Sequence, residues 1–245
     1  RSMWIAPVIA IAAAIYLTAS KPAALTAAGP ILLLWLAAPA LAWWISRPLA
    51  RREARLTADQ IIFLQKISRK TWAFFETFVG PEDHWLPPDN YQEHPVAVVA
   101  HRTSPTNMGL SLLANLSAYD FGYIPAGQLI ERTANALHTM AALERHRGHF
   151  YNWYDTQSLQ PLPPLYISSV DSGNLAGHLL TLRPGLIALP DDKILGARLF
   201  DGLFDTLRVL VDAAVQAPPA ARVLLDRVQK DLESAADSRP ATLTA

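Results

Sequence analysis

Hydrophobic positions along this chain change period after the first fifty residues. Ser2 to Ala19 and Gly29 to Ser46 are continuous apolar runs without a charge. Each is about 18 residues long, near the lower limit for crossing a hydrocarbon core roughly 30 Å thick. Ser20, Lys21 and Pro22 between them predict a turn, and Trp4, Trp43 and Trp44 sit near the ends as interfacial anchors do. The pattern predicts a transmembrane helical hairpin over residues 1–48 and a basic juxtamembrane linker over 49–58. Arg47, Arg51, Arg52 and Arg55 follow the second run, whereas the intervening loop carries only Lys21. The positive-inside rule then puts Arg47 onward on the cytoplasmic side. A secretory signal is the alternative for the first run, but a second apolar run follows it instead of a mature domain. A pair of buried, alanine-rich core helices is the globular alternative.

From Leu56 the spacing becomes helical. Thr57 predicts a cap, and Ile61, Ile62, Leu64, Ile67, Trp72, Phe74, Phe75 and Phe78 recur on one helix to about Val79, where Gly80-Pro81 ends it. Ser104-Pro105 predicts a cap with Pro at the first helical position, opening a helix to about Tyr119. Pro125 starts another to about His146. Asp171 or Ser172 caps the next, which Arg183-Pro-Gly185 disturbs or ends. Asp191 to Val215 and Ala220 to about Ala236 complete the set, with a frayed polar tail over 237–245. No strand pattern stands out. Two long loops, 80–93 and 147–156, alternate with short turns, and Thr106-Asn107-Met108-Gly109 occupies the same place in its hairpin as Gly173-Asn174 in the next. The expected fold is all-α, with residues 59–236 forming helical hairpins of part of an (α/α)6 toroid, its loop face bearing the site.

Composition narrows the function. Twenty-one acids balance 21 bases, against a general nucleic-acid binder, and the absence of Cys removes disulfides and thiolate metal sites. The first residue is Arg rather than Met, which predicts a fragment or processed product. Trp85, Tyr91, Phe150, Tyr151, Trp153 and Tyr154 lie in the long loops beside Asp89, Asn90, Gln92, Asn152 and Asp155. Flat aromatic faces pack on the C–H faces of sugars, and the amides and carboxylates pair with their hydroxyls. Packing of the loops on themselves is the competing explanation. Glycoside chemistry needs two carboxylates with different environments. Glu82, Asp83, Asp89, Glu93, Glu144, Asp155 and Asp171 are candidates, but spacing singles out no pair. Glu144 beside Arg145 and Arg147 fits an ion pair, and Asp171 a helix cap. His84, His94, His101 and His149 share the loops without a metal-binding spacing, so no metal is expected. His101, Arg102 and His149 read instead as hydrogen-bond donors.

At these residues the chain resembles a known family. Phe74-Phe-Glu-Thr-Phe-Val79, Trp85-Leu-Pro-Pro-Asp-Asn90, His101-Arg-Thr-Ser-Pro-Thr-Asn107, Gly148-His-Phe-Tyr-Asn-Trp-Tyr-Asp155 and Ser169-Val-Asp-Ser-Gly-Asn-Leu-Ala-Gly-His178 resemble the central region of bacterial cyclic β-1,2-glucan synthases. Leu34-Trp35 to Ile45-Ser-Arg-Pro48 resembles the membrane segment just upstream, and the likeness covers roughly residues 31–182. The resemblance implies an inner-membrane polypeptide with a glycosyltransferase part using UDP-glucose, a glucoamylase-like (α/α)6 part that cyclises the glucan by transglycosylation, and a phosphorylase part. The implied partners are β-1,2-glucan, the lipid bilayer and those other parts of the polypeptide, with no cofactor in this segment and no nucleic acid. The family's cyclisation glutamates are associated with Phe-Glu-Tyr and Ile-Ser-Glu-Ser motifs, and neither occurs here. This segment is therefore expected to bind glucan without catalysing, and half a toroid is expected to leave an apolar seam. The expected glucan contacts are Trp85, Asp89, Asn90, Gln92, His101, Arg102, Asn107, His149, Tyr151, Asn152, Trp153, Asp155, Asp171 and Asn174. Three alternatives remain: a self-contained membrane-anchored hydrolase using Glu82, Asp83 or Asp155; a non-catalytic glucan-binding module; and a helical scaffold in which the aromatics only pack.

Overall fold

A computed structural model describes residues 4–47, 55–192 and 197–238. The basic stretch expected at 49–58 and the tail at 237–245 fall largely outside these residues. The chain divides into two compact units, Arg1–Arg55 and Leu56–Ala245.

In the first unit α1 (Ile5–Ser20) and α2 (Leu25–Ile45) form a hairpin closed by a 3-10 turn at Pro22–Ala24. The turn is tighter than expected. α2 begins at Leu25, ahead of the run expected from Gly29, because Leu25, Ala27 and Ala28 are good helix formers that extend the helix toward Lys21. Thr18 and Ser20 bond their hydroxyls to the carbonyls of Ala14 and Tyr16, so they expose no unpaired donor. Ala10 and Leu32 are buried, while most of the isoleucines, leucines and tryptophans face outward. The span from Pro22 to Ile45 is long and apolar enough to cross a membrane; among the described residues it is the one helix that is. α1, at 16 residues, rises about 24 Å and falls short.

The second unit begins with α3 (Ala58–Phe78). Thr57 and Gln60 cap it reciprocally, each side chain bonding the other's backbone N–H at 3.3 and 3.0 Å. Its C-terminal carbonyls are held by Arg132, whose guanidinium donates to Phe75 O (2.8 Å) and Val79 O (3.0 Å) while facing the rings of Trp72 and Trp85. α4 (Pro105–Asp120) and α5 (Ala126–Ala142) form the next hairpin, followed by α6 (Ser169–Ala188), α7 (Ala197–Ala213) and α8 (Pro219–Ser238). α5 stops short of His146, since Leu143 is extended and Arg145–His146 enters a two-residue ladder. Ser168, rather than Asp171 or Ser172, caps α6. α6 also runs through Pro184 to Ala188: Gly185, the next residue, lies against Leu116 of α4, and that packing keeps the helix continuous.

Among the described residues, six two-residue strands that the sequence pattern does not predict tie the loops together. β1 (Tyr91–Gln92) pairs with β2 (Val98–Val99), β3 (Arg102–Thr103) with β6 (Tyr154–Asp155), and β4 (Arg145–His146) with β5 (His149–Phe150). Strands this short carry no period-2 pattern to detect.

α4 and α6 pack closely along their lengths. Gly109 lies under the His178 ring and Gly185 under Leu116, so positions advance together along both helices, which run parallel, with α6 starting about one and a half turns ahead of α4. A β-carbon at Gly109 would come within 2.3 Å of His178 Nδ1. This parallel pair, with α5 returning between them in sequence, is the inner-helix relation of an α/α toroid. The core between them holds Leu86, Met108, Leu112, Met140, Tyr154 and Leu175. α7 packs instead on α3, where Arg69 Nε donates to Thr206 (2.9 Å) and Lys66 pairs with Asp212 (2.7 Å). Asp205 of α7 is buried and accepts from Tyr123 (3.2 Å) and Arg208 (2.9 Å).

The turn after α4 meets α7 backbone to backbone. Gly122 has φ +74°, and a β-carbon there would fall 1.8 Å from Arg198 O. Gly122→Ala should lower stability by about 2 kcal/mol or more, combining left-handed strain with a backbone clash. Gly177→Ala, in the middle of α6 with open space around it, should raise it by about 0.5–1 kcal/mol. Denaturant titration of the full chain in detergent checks both signs, and equal effects would contradict this packing.

Candidate functional site

The parallel α4–α6 pair places two helix starts side by side. Ser104 accepts from Asn107 N (3.3 Å) to cap α4, and Ser168 accepts from Asp171 N (3.1 Å) to cap α6. Thr106 then reaches across, donating to Asp171 Oδ1 (2.7 Å) and accepting from Asn174 Nδ2 (3.1 Å). The loop at 147–156 delivers Asn152 to the other carboxylate oxygen. Asn152 is buried, and one orientation of its amide satisfies every neighbour: Nδ2 donates to Asp171 Oδ2 (2.9 Å), while Oδ1 accepts from Trp153 Nε1 (2.9 Å) and Tyr166 OH (2.7 Å).

The loop at 80–104 closes the group from the α4 side. Asp89 accepts from Asn107 Nδ2 (3.3 Å) through Oδ1, and from Arg102 Nε (3.2 Å), Arg102 Nη2 (3.0 Å) and Asn90 Nδ2 (3.1 Å) through Oδ2. Arg102 also lies over the Trp153 ring, 4.9 Å from its centroid. The β3–β6 ladder, which sets Arg102 opposite Asp155 and Thr103 opposite Tyr154, brings the two loops together. Asp89, Asn90, Arg102, Asn107, Asn152, Trp153, Asp171 and Asn174 thus share one neighbourhood around a half-exposed indole, at the positive ends of two helices. Such a set offers a flat apolar face with donors and acceptors beside it, the chemistry that suits a neutral polyol.

Other expected contacts lie elsewhere. Trp85 has φ +64° and packs against the core with Arg132 over its ring. Gln92 is exposed in β1, and His149 is exposed next to the β4–β5 turn, where Arg147 and Gly148 both have positive φ. Tyr151 lies against the core, its N–H bonded to Tyr154 OH (2.8 Å). His101 Nδ1 bonds Asp83 Oδ1 (2.8 Å), which also accepts from Thr156 Oγ1 (2.5 Å), making a structural node under the loop. Asp155 Oδ1 accepts from Ser158 N (2.7 Å), Ser158 Oγ (2.9 Å) and Gln157 N (3.1 Å), a turn-stabilising role. Backbone donation from Ser158 holds its carboxyl below the usual range despite some burial. Sequence reasoning passed over Thr106 and Tyr166. The matched Thr106-Asn107 and Gly173-Asn174 positions signal the first, while nothing in the sequence around Tyr166 signals the second.

The fold and site together define an all-α arc whose aromatic loops gather polar groups at its inner-helix starts. No protein-family model matches the chain. The chain is 38% identical, over 240 residues and 93% of its length, to the cyclic β-(1,2)-glucan synthase NdvB of Rhizobium meliloti (strain 1021). It spans 8% of the length of that relative. The resemblance read from the motifs is thereby borne out, and extends well beyond residue 182. Among solved structures, a glucoamylase-like protein of Bacteroides fragilis NCTC 9343 is 18% identical, with a TM-score of 0.43 over 55% of this chain and 32% of that one.

Burial raises the Asp171 carboxyl, but hydrogen bonds from Ser168, Thr106 and Ser104 outweigh it and hold the group below the usual carboxylate range. A lowered folded-state value adds stability that is fully present above about pH 4 and is lost as pH falls through the folded value. The melting temperature of the wild type should therefore drop more steeply below about pH 4 than that of Asp171→Asn, narrowing the gap between them. Parallel pH profiles would mean that the charge on Asp171 contributes nothing.

Proposed function

We propose that this chain is a membrane-anchored segment of a cyclic β-1,2-glucan synthase, contributing the glucan-binding part of its glucoamylase-like transglycosylation domain. The observation that carries the reading is the 38% identity over nearly the whole chain to one stretch of NdvB. The gathered set at the starts of α4 and α6 supports it, because Trp153 offers a stacking face with amides and carboxylates around it. Glucosyltransfer, cyclisation and length control belong to the longer polypeptide, whose glycosyltransferase and phosphorylase parts are the expected partners. α2 anchors the segment in the inner membrane, and the arginines after it keep the helical unit on the cytoplasmic side.

The rival of a self-contained hydrolase gains nothing from Asp83 or Asp155, two of its three candidate acids, and the third, Glu82, lies exposed. Asp83 is buried between His101 and Thr156, and Asp155 is taken up by its turn.

Calorimetric titration with linear β-1,2-glucan should show saturable binding by the full chain in detergent, with no release of reducing sugar. Trp153→Ala should weaken that binding roughly five- to tenfold, about 1–1.4 kcal/mol. No measurable glucan binding by the wild type would overturn the reading, and sugar release lost in Asp155→Ala would favour the hydrolase. Arginine at Leu33 and Leu34, in the middle of α2, costs about 2.5–3.5 kcal/mol each in a bilayer. The doubly substituted chain should leave the membrane fraction in an alkaline wash that retains the wild type.

A further inference from the structure

The polar groups around Trp153 form a directed chain rather than a loose cluster. Trp153 Nε1–H donates to Asn152 Oδ1, Asn152 Nδ2 donates to Asp171 Oδ2, and Asp171 Oδ1 accepts from Thr106 Oγ1. Donor direction is set at the Asp171 end. An ionised carboxylate only accepts, so the amide of Asn152 must turn its NH2 toward it and its carbonyl toward the indole. Asn152 is 6% exposed, and its carbonyl also takes the Tyr166 hydroxyl, so water offers little substitute for either partner.

We propose that Asp171 is a positioning residue for Trp153: through the Asn152 amide it fixes the direction in which the indole N–H points, and so the plane of the ring on which a sugar stacks. This rests on the glucan reading of the site but assigns Asp171 a role without sugar contact. Arg102, held by Asp89, covers one face of the ring. The chain through Asn152 fixes the edge, leaving the other face as the one presented to ligand.

Asp171→Asn is nearly isosteric but reverses the logic. An amide at 171 that accepts from Thr106 turns its own NH2 toward Asn152. The Asn152 amide then rotates to accept, and its NH2 confronts the indole N–H donor to donor. The ring must tilt or lose its partner.

The test is a double-mutant cycle on the full chain in detergent, read by glucan titration and by the 15N-indole N–H signal of Trp153. Trp153→Phe, which keeps a flat ring without the N–H, assigns that signal by its loss. Asp171→Asn is expected to weaken glucan binding about tenfold and to move the indole signal. In the Trp153→Phe background the same substitution should have little further effect on affinity. An equal loss in both backgrounds, or an unmoved indole signal, overturns the proposal. If Asp171→Asn does not fold, Asn152→Ala takes its place: a moved indole signal supports the chain, and an unmoved one overturns it. If the wild type binds no glucan, the functional reading fails on its own, and the indole signal alone still decides the positioning role.

Discussion

The candidate site depends on how closely α4 and α6 approach one another. Gly109 admits the His178 ring, and Gly185 admits Leu116. A methyl group at either position would push the axes apart, and the first contact to suffer would be Thr106 to Asp171, at 2.7 Å. A hydrogen bond of that length does not survive a shift of about 1 Å. With it would go the link between the first turns of the two helices, and with that link the place where the loops converge. The polar site is thus a consequence of close helix packing at Gly109, within a turn of Thr106, and at Leu116, about three turns from it.

Much of this architecture is legible in the sequence because helix signals are local. Thr57, Ser104-Pro105 and the leucine spacing of α4 announce themselves within a few residues. Ser168 does not, because Ser169, Asp171 and Ser172 beside it are equally good caps and only tertiary packing chooses. Pro184 misleads for a related reason: proline ends isolated helices, yet here Gly185 fits against Leu116 and the helix continues. The two-residue ladders leave no trace in periodicity, although the β3–β6 pair is what joins the loops. Among the expected glucan contacts, Asn107, Asp171 and Asn174 come together at the two helix starts, and Asp89, Arg102, Asn152 and Trp153 join them from the loops. Trp85, His101, Tyr151 and Asp155 have the right chemistry, but their neighbours use them for core packing, loop anchoring and turns.

The fate of the carboxylates explains why a loop rich in acids need not be a catalytic one. Asp83, Asp155 and Asp205 each serve a hub of hydrogen bonds, and burial pushes Asp205 up where donors pull Asp155 down. Asp155 takes up backbone N–H groups that its irregular loop cannot pair for itself, and Asp83 ties the two long loops together through the side chains of His101 and Thr156. Long loops can therefore hold fixed shapes without extended secondary structure, at the expense of the freedom their acids would need to act on a substrate.

Gly122 and Gly202 touch through backbone atoms alone, the former pressed against Arg198 O and the latter against Gly122 O. A joint without side chains has no repertoire. Selection can tune most interfaces by exchanging one apolar group for another, but here every single replacement adds volume where none fits. The corner between α4 and α5 and the flank of α7 are consequently bound to drift together or not at all, and this seam should resist engineering for added stability more than any leucine-lined face of the molecule.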